Sequence, residues 1–161
     1  MATVPAAPLP PPSDPAALEA VIERIESSGN PYALRLEPAV LAERTAPITS
    51  RVVAEIHGCD IITGHMITAT SWGLFQIMGF NLYSGAHPWK KTVFDFLNAP
   101  WMQRLFFRQW LADRGMNYTL AALLADPAKL QAFAAFYNGN AAVYAPAMVT
   151  AARVLGYAVP A

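Results

Sequence analysis

The second half of the chain is a series of apolar runs at helical spacing, cut by residues that stop helices. Trp101, Leu105, Phe106 and Trp110 recur at the spacing of one helix face, and so do Leu130, Phe133, Ala134 and Tyr137. Gly115, Asp126-Pro127 and Asn138-Gly139-Asn140 stand between the runs as punctuation. The pattern predicts helices over about 91–98, 101–113, 118–125, 127–137 and 141–155. It commits the chain to a mainly α architecture.

The first half is less regular. Residues 1–15 carry Pro5, Pro8, Pro10, Pro11, Pro12 and Pro15, which permit neither helix nor central strand. Residues 1–14 read as a Pro-rich flexible tail or tether, and 15–161 as the folded domain. Ser13 or Asp14 is placed to cap a first helix with Pro15 at its first position. Leu18, Val21, Ile22 and Ile25 continue that helix to about residue 28, where Gly29 and Pro31 end it. Residues 31–36 read as extended, and Pro38–Arg44 and Ser50–His57 as helices. The β-branched stretch from Asp60 to Thr70 is the expected place for a small hairpin, and Ser71–Met78 for a short helix.

A length of 161 residues suits one compact domain, and 55% apolar against 14% charged residues excludes general disorder. Eleven basic residues balance eleven acidic ones, which argues against a nucleic-acid partner held by phosphate neutralisation. The balance conceals an asymmetry: residues 1–60 carry a net −4 and residues 61–161 a net +4. Cys59 is the only cysteine, and His57, His65 and His87 show no ligand spacing, so neither metal nor cofactor is expected. The apolar stretch near the C-terminus stops at Arg153, too short for stable membrane insertion. No basic segment precedes the apolar N-terminal residues, so no ordinary signal peptide is visible.

All the glutamates lie in the first 55 residues, which narrows any search for a catalytic one. Glu26 sits one turn beyond Ile22, at the edge of the first helix's apolar stripe, whereas Glu19 and Glu23 are expected to be solvated. Partial burial and the negative end of the helix dipole both disfavour its carboxylate form and push its pKa up. A carboxylic acid still protonated near neutral pH is what cleavage of a glycosidic bond requires, because the leaving oxygen must receive a proton. Taken alone, a glutamate at a helix edge is more commonly a surface residue.

Three segments change that balance. The run Ile25-Glu26-Ser27-Ser28-Gly29-Asn30-Pro31-Tyr32-Ala33 resembles the first motif of the soluble lytic transglycosylase and goose-type lysozyme superfamily. The run Ser71-Trp72-Gly73-Leu74-Phe75-Gln76-Ile77-Met78-Gly79 resembles the second, and Ala135-Phe136-Tyr137-Asn138-Gly139 the third, in the family's order. Residues 72–81 look closest to phage-type N-acetylmuramidase-like members. The resemblance implies a lysozyme-like helical fold with a small β element and activity on the MurNAc–GlcNAc β-1,4 bond of peptidoglycan. It implies Glu26 as the catalytic residue, with Tyr137 and Asn138 near it and near substrate. The chain departs from the compact pattern in the 44 residues that lie between Glu26 and Ser71.

The motif residues also read physically. Gly73 lets a sugar ring approach the backbone, and the Gln76 amide offers donors and an acceptor to N-acetyl and hydroxyl groups beside Ser71. The plainer alternatives are a core glutamine bonded to backbone and, for Asn138, a helix C-cap. Trp72, Phe75, Tyr83 and Trp89 are either sugar-stacking or core residues, with core packing favoured for Phe75. Glycoside hydrolysis usually divides the work between two carboxylates. Glu37 is the second candidate, and an ion pair with Arg35 or Arg44 is its ordinary alternative. Lytic transglycosylases resemble one another in using one glutamate, first as acid and then as base on the substrate's own 6-hydroxyl.

The expected partner is the glycan strand of the bacterial wall, in the periplasm or outside the cell. Without a signal peptide, the routes there are phage release, a virion-associated lysozyme, or export by another path, and the tail offers attachment to a larger virion or secretion assembly. Two competing readings come from other classes. One is a non-catalytic peptidoglycan-binding or virion-structural module; the other is a membrane-acting helical protein, suggested by the Ala-rich C-terminal third.

Overall fold

A computed structural model describes residues 9–43, 48–84 and 86–160. Among these residues the chain forms ten helices and a three-stranded antiparallel sheet. It divides into two compact units: Glu26–Asn117, and the residues up to Ile25 together with those from Tyr118 onward. No helix among the described residues is long and apolar enough to cross a membrane.

The unit that joins the two ends of the chain is helical. Asp14 opens α1 (Pro15–Glu26), its Oδ1 accepting from the Ala16 N–H at 2.8 Å. Ala17, Leu18, Val21 and Ile22 are buried as the apolar spacing predicts. Glu19 is buried as well, at 2% exposure, and Glu23 is half-buried, which corrects the expectation that both are solvated. The reason is that α1 is covered over more of its circumference than its apolar stripe alone would need. Of the Pro-rich tail, residues 1–8 lie outside the described residues, and the Pro12 carbonyl accepts from the Ala121 N–H at 2.9 Å. Three helices, α8 (Leu120–Leu124), α9 (Pro127–Asn138) and α10 (Ala141–Val154), follow within a residue or two of the predicted ranges. Thr119 and Asp126 cap the first two through their side chains, as short polar residues at that position do.

The Glu26–Asn117 unit holds the sheet. Its order is β1 (Leu34–Leu36), β2 (Thr70–Trp72), β3 (Ile77–Met78), with Arg35 opposite Ser71 and Ser71 opposite Met78. Two helices, α2 (Pro38–Glu43) and α3 (Ile48–His57), lead to α4 (Ile61–Thr68). A helix at 61–68 replaces the expected hairpin. Asp60 is the cause: its Oδ1 accepts from the N–H groups of Ile62 and Thr63 at 2.9 and 3.0 Å, a helix N-cap that outweighs the β preference of the following isoleucines. Gly64 then lets α4 lie directly on α3, since a Cβ there would stand 2.4 Å from the Ser50 carbonyl oxygen.

Residues 71–78, expected as a helix, are instead two strands and the turn between them. Gly73 at φ +75° and Gln76 at φ +46° both take left-handed backbone, which no right-handed helix accommodates. The remaining elements are α5 (Gly79–Leu82), α6 (Val93–Leu97) and α7 (Pro100–Ala112). On α7 the buried face is Gln103, Phe107 and Leu111, whereas Trp101 and Leu105 of the predicted stripe are 67% and 53% exposed. The second motif's Phe75 stacks flat on Phe107, with ring centroids 4.0 Å apart.

Candidate active site

Glu26 is the last residue of α1 and is half-buried. Beyond it Ser28 and Gly29 take left-handed backbone, at φ +54° and +79°, and turn the chain back towards β1. Asn30 tightens that turn, its Oδ1 accepting from the Tyr32 N–H at 2.9 Å. The helix therefore ends at the glutamate because the next residues cannot continue it.

The first two motifs meet here. The Ser27 hydroxyl donates to the Leu74 carbonyl at 2.9 Å, and the Gly73 N–H donates to the Ala33 carbonyl at 2.8 Å. The strand pairing of β1 with β2 continues the contact, so the residues after Glu26 run alongside the Gly73–Gln76 turn.

Ser71 is 1% exposed, and its hydroxyl lies 3.0 Å from Gln76 Oε1 and 3.2 Å from the Arg35 carbonyl. Gln76 Nε2 donates to the Gly73 carbonyl at 3.1 Å. Ser71 and Gln76 thus brace the turn from inside, while Gln76, half-buried, keeps one amide hydrogen and one lone pair beyond these bonds. Glu37 is ion-paired with Arg35 on the exposed side of β1, and its N–H donates to the Ala69 carbonyl at 2.9 Å.

Tyr137 and Asn138 belong to the other unit, in the last turn of α9. Tyr137 stacks between Phe133 and Tyr144, with centroids 5.9 and 5.5 Å away. Asn138 is exposed, and the helix is closed by Gly139 at φ +77° rather than by the asparagine. Of the other aromatics singled out, Trp72, Phe75 and Tyr83 are buried; the Nε1–H groups of Trp72 and Trp89 donate to the carbonyls of Ile67 and Thr92. Trp89 is half-buried, its ring edge-on to Phe96 at a centroid distance of 5.5 Å.

One residue at the site escaped the sequence reading. Gln103 of α7 is 0% exposed, and its Oε1 accepts from the Leu74 N–H at 2.7 Å. Its Nε2 lies 3.1, 3.2 and 3.3 Å from the carbonyls of Pro31, Phe96 and Leu97. A signal existed: Gln103 is the polar member of a stripe completed by Phe107 and Leu111 at four-residue spacing. The more conspicuous Trp101–Leu105 stripe masked it.

Elsewhere in this unit His57 Nε2 accepts from the Val93 N–H at 3.3 Å and lies 3.0 Å from the Tyr83 hydroxyl. Burial lowers the His57 pKa, against a smaller opposing pull from Asp95, and burial raises that of Tyr83. Among the described residues no three His, Cys, Asp or Glu side chains converge on a metal position.

A mainly helical protein with a glutamate closing its first helix, against a braced glycine turn, is the class that fold and site define. Over 143 residues the chain is 36% identical to the endolysin of Enterobacteria phage PRD1, an alignment covering 84% of this chain and 94% of that protein. It belongs to the same family as that endolysin. No known family profile matches the chain, and no solved structure matches it.

Proposed function

We propose that the protein is an endolysin that cleaves the glycan strands of bacterial peptidoglycan, with Glu26 as its general acid and base. The observation that carries the reading is the bond from Ser27, the residue after Glu26, to Leu74 of the glycine turn. It joins the glutamate-bearing helix end to the segment whose backbone and Gln76 amide are suited to a sugar. The kinship with a phage endolysin along most of both chains supports the same substrate.

In this reading Glu26 protonates the bridging oxygen of the MurNAc–GlcNAc β-1,4 bond as it breaks. The resulting carboxylate then takes the proton of the 6-hydroxyl of the same MurNAc. That oxygen closes on C1, giving a 1,6-anhydro sugar with no water consumed. The pairing of Glu37 with Arg35 on the exposed strand β1 gives it the ordinary ion-pair role and supports a one-glutamate mechanism. Gln76 would bind N-acetyl or hydroxyl groups, and Ser71 would hold Gln76 in place. The site of action is the cell wall; the reading needs no assembly partner for the N-terminal tail.

Glu26→Gln keeps the shape and removes the acid, so wall lysis in a zymogram is expected to vanish, while Glu37→Gln keeps it. Mass spectrometry of the released muropeptides is expected to show products lighter by one water than hydrolysis would give. Reducing-end products would make the enzyme a muramidase and restore a role for a second carboxylate. Full lysis by Glu26→Gln would end the proposal and favour a glutamate-independent or purely wall-binding protein.

A further inference from the structure

We infer that Gln103 is a positioning residue for Glu26, an inference that rests on the proposed role of that glutamate. Its amide ties both ends of the 27–31 turn to the glycine turn through one short chain of hydrogen bonds. At one end Ser27 donates to the Leu74 carbonyl at 2.9 Å, and the N–H of the same Leu74 donates to Gln103 Oε1 at 2.7 Å. At the other end Gln103 Nε2 reaches the Pro31 carbonyl at 3.1 Å. The turn that ends α1 is therefore held at Ser27 and at Pro31 by groups that converge on one buried side chain.

The chemistry is specific to an amide. The position needs an acceptor for the Leu74 N–H and a donor for carbonyls that belong to two different segments, Pro31 and the Phe96–Leu97 end of α6. Glutamine supplies both at that reach; an ionised glutamate accepts but cannot donate, and leucine does neither. The surroundings are shaped to it as well: a Cβ on Gly73 would stand 2.3 Å from Gln103 Oε1. Full burial at 0% exposure keeps water from substituting for any of these bonds.

The test is Gln103→Glu beside the wild type, Ser27→Ala and Glu26→Gln. Each is assayed on soluble uncrosslinked glycan strands at a temperature where circular dichroism shows the variant folded. At alkaline pH, where the buried carboxyl is ionised, kcat of Gln103→Glu is expected to fall on the order of a hundredfold relative to wild type, the scale of a misplaced catalytic group, with KM little changed. As pH falls and the buried carboxyl takes up a proton it becomes a donor again, so the ratio of variant to wild-type kcat is expected to rise. Ser27→Ala, which cuts the same chain without touching the core, is expected to lower kcat in the same direction without that pH recovery. A Gln103 role confined to stability would leave kcat of the folded variants at the wild-type value, and that result overturns the inference. If Gln103→Glu does not fold, Ser27→Ala decides alone: unchanged kcat overturns it. Activity retained by Glu26→Gln would instead strike at the proposed function, so the two failures are distinguishable.

Discussion

Replacing Gly73 by alanine tests whether the glycine turn is shaped around Gln103. Two costs add at this position. The first is conformational: φ is +75°, and a left-handed backbone costs a residue with a Cβ about 1–2 kcal/mol. The second is steric. The new Cβ would stand 2.3 Å from Gln103 Oε1 and 2.8 Å from its Cδ, so the amide must withdraw and the Leu74 N–H loses its acceptor. A buried donor left without a partner costs about 1–3 kcal/mol. The sum, about 2–5 kcal/mol, is a large share of the roughly 5–15 kcal/mol that holds a native domain together. Gly115 provides the control. Its φ is +67° and nothing lies within 4 Å of its would-be Cβ, so Gly115→Ala carries the first cost alone. In urea unfolding at constant m-value, Gly73→Ala is expected to exceed Gly115→Ala by about 1–3 kcal/mol. On heating, that margin corresponds to about 2–4 °C per kcal/mol for a chain of this length. Equal losses for the two variants would refute the reasoning, because they would show that the Gln103 amide is not disturbed.

Gly64→Ala reverses the usual benefit of alanine in a helix: its Cβ would meet the Ser50 carbonyl at 2.4 Å, and overpacking of that kind costs about 1–3 kcal/mol, read as a lower denaturation midpoint. Asp60→Ala removes the acceptor of the Ile62 and Thr63 N–H groups and is expected to lower the thermal midpoint, with Asp60→Asn recovering most of the loss because it keeps an acceptor. Stability is expected to fall with acid in two limbs. The folded state holds His57 below its ordinary pKa of 6.5, so its contribution is present above 6.5 and is lost as pH falls through the lowered value. Hydrogen bonds hold Asp60, Asp95 and Asp126 below 3.8, so their contribution is lost only at lower pH still. In His57→Gln the first limb is expected to disappear from pH-dependent melting curves while the second stays; an unchanged first limb would assign it to another group.

The sequence by itself determined the helices whose ends carry their own signals. Asp14-Pro15, Asp126-Pro127 and Gly139 lie where α1 and α9 begin and end, because caps, proline and left-handed glycine act on their immediate neighbours. It also marked Glu26, since a helix-breaking run follows it directly. Tertiary structure decided the rest. Residues 71–78 become strands because β1, 34 residues earlier at its closest approach in sequence, supplies partners for Thr70, Ser71 and Trp72, and no local pattern reports a partner so far along the chain. Trp101 and Leu105 lie outward on α7 while Gln103 lies inward, because the Pro31 carbonyl and the Leu74 N–H, both far along the chain, join the Phe96 and Leu97 carbonyls where the helix is buried. Hydrophobic spacing records what water repels; it does not record where unpaired backbone groups wait for a polar side chain.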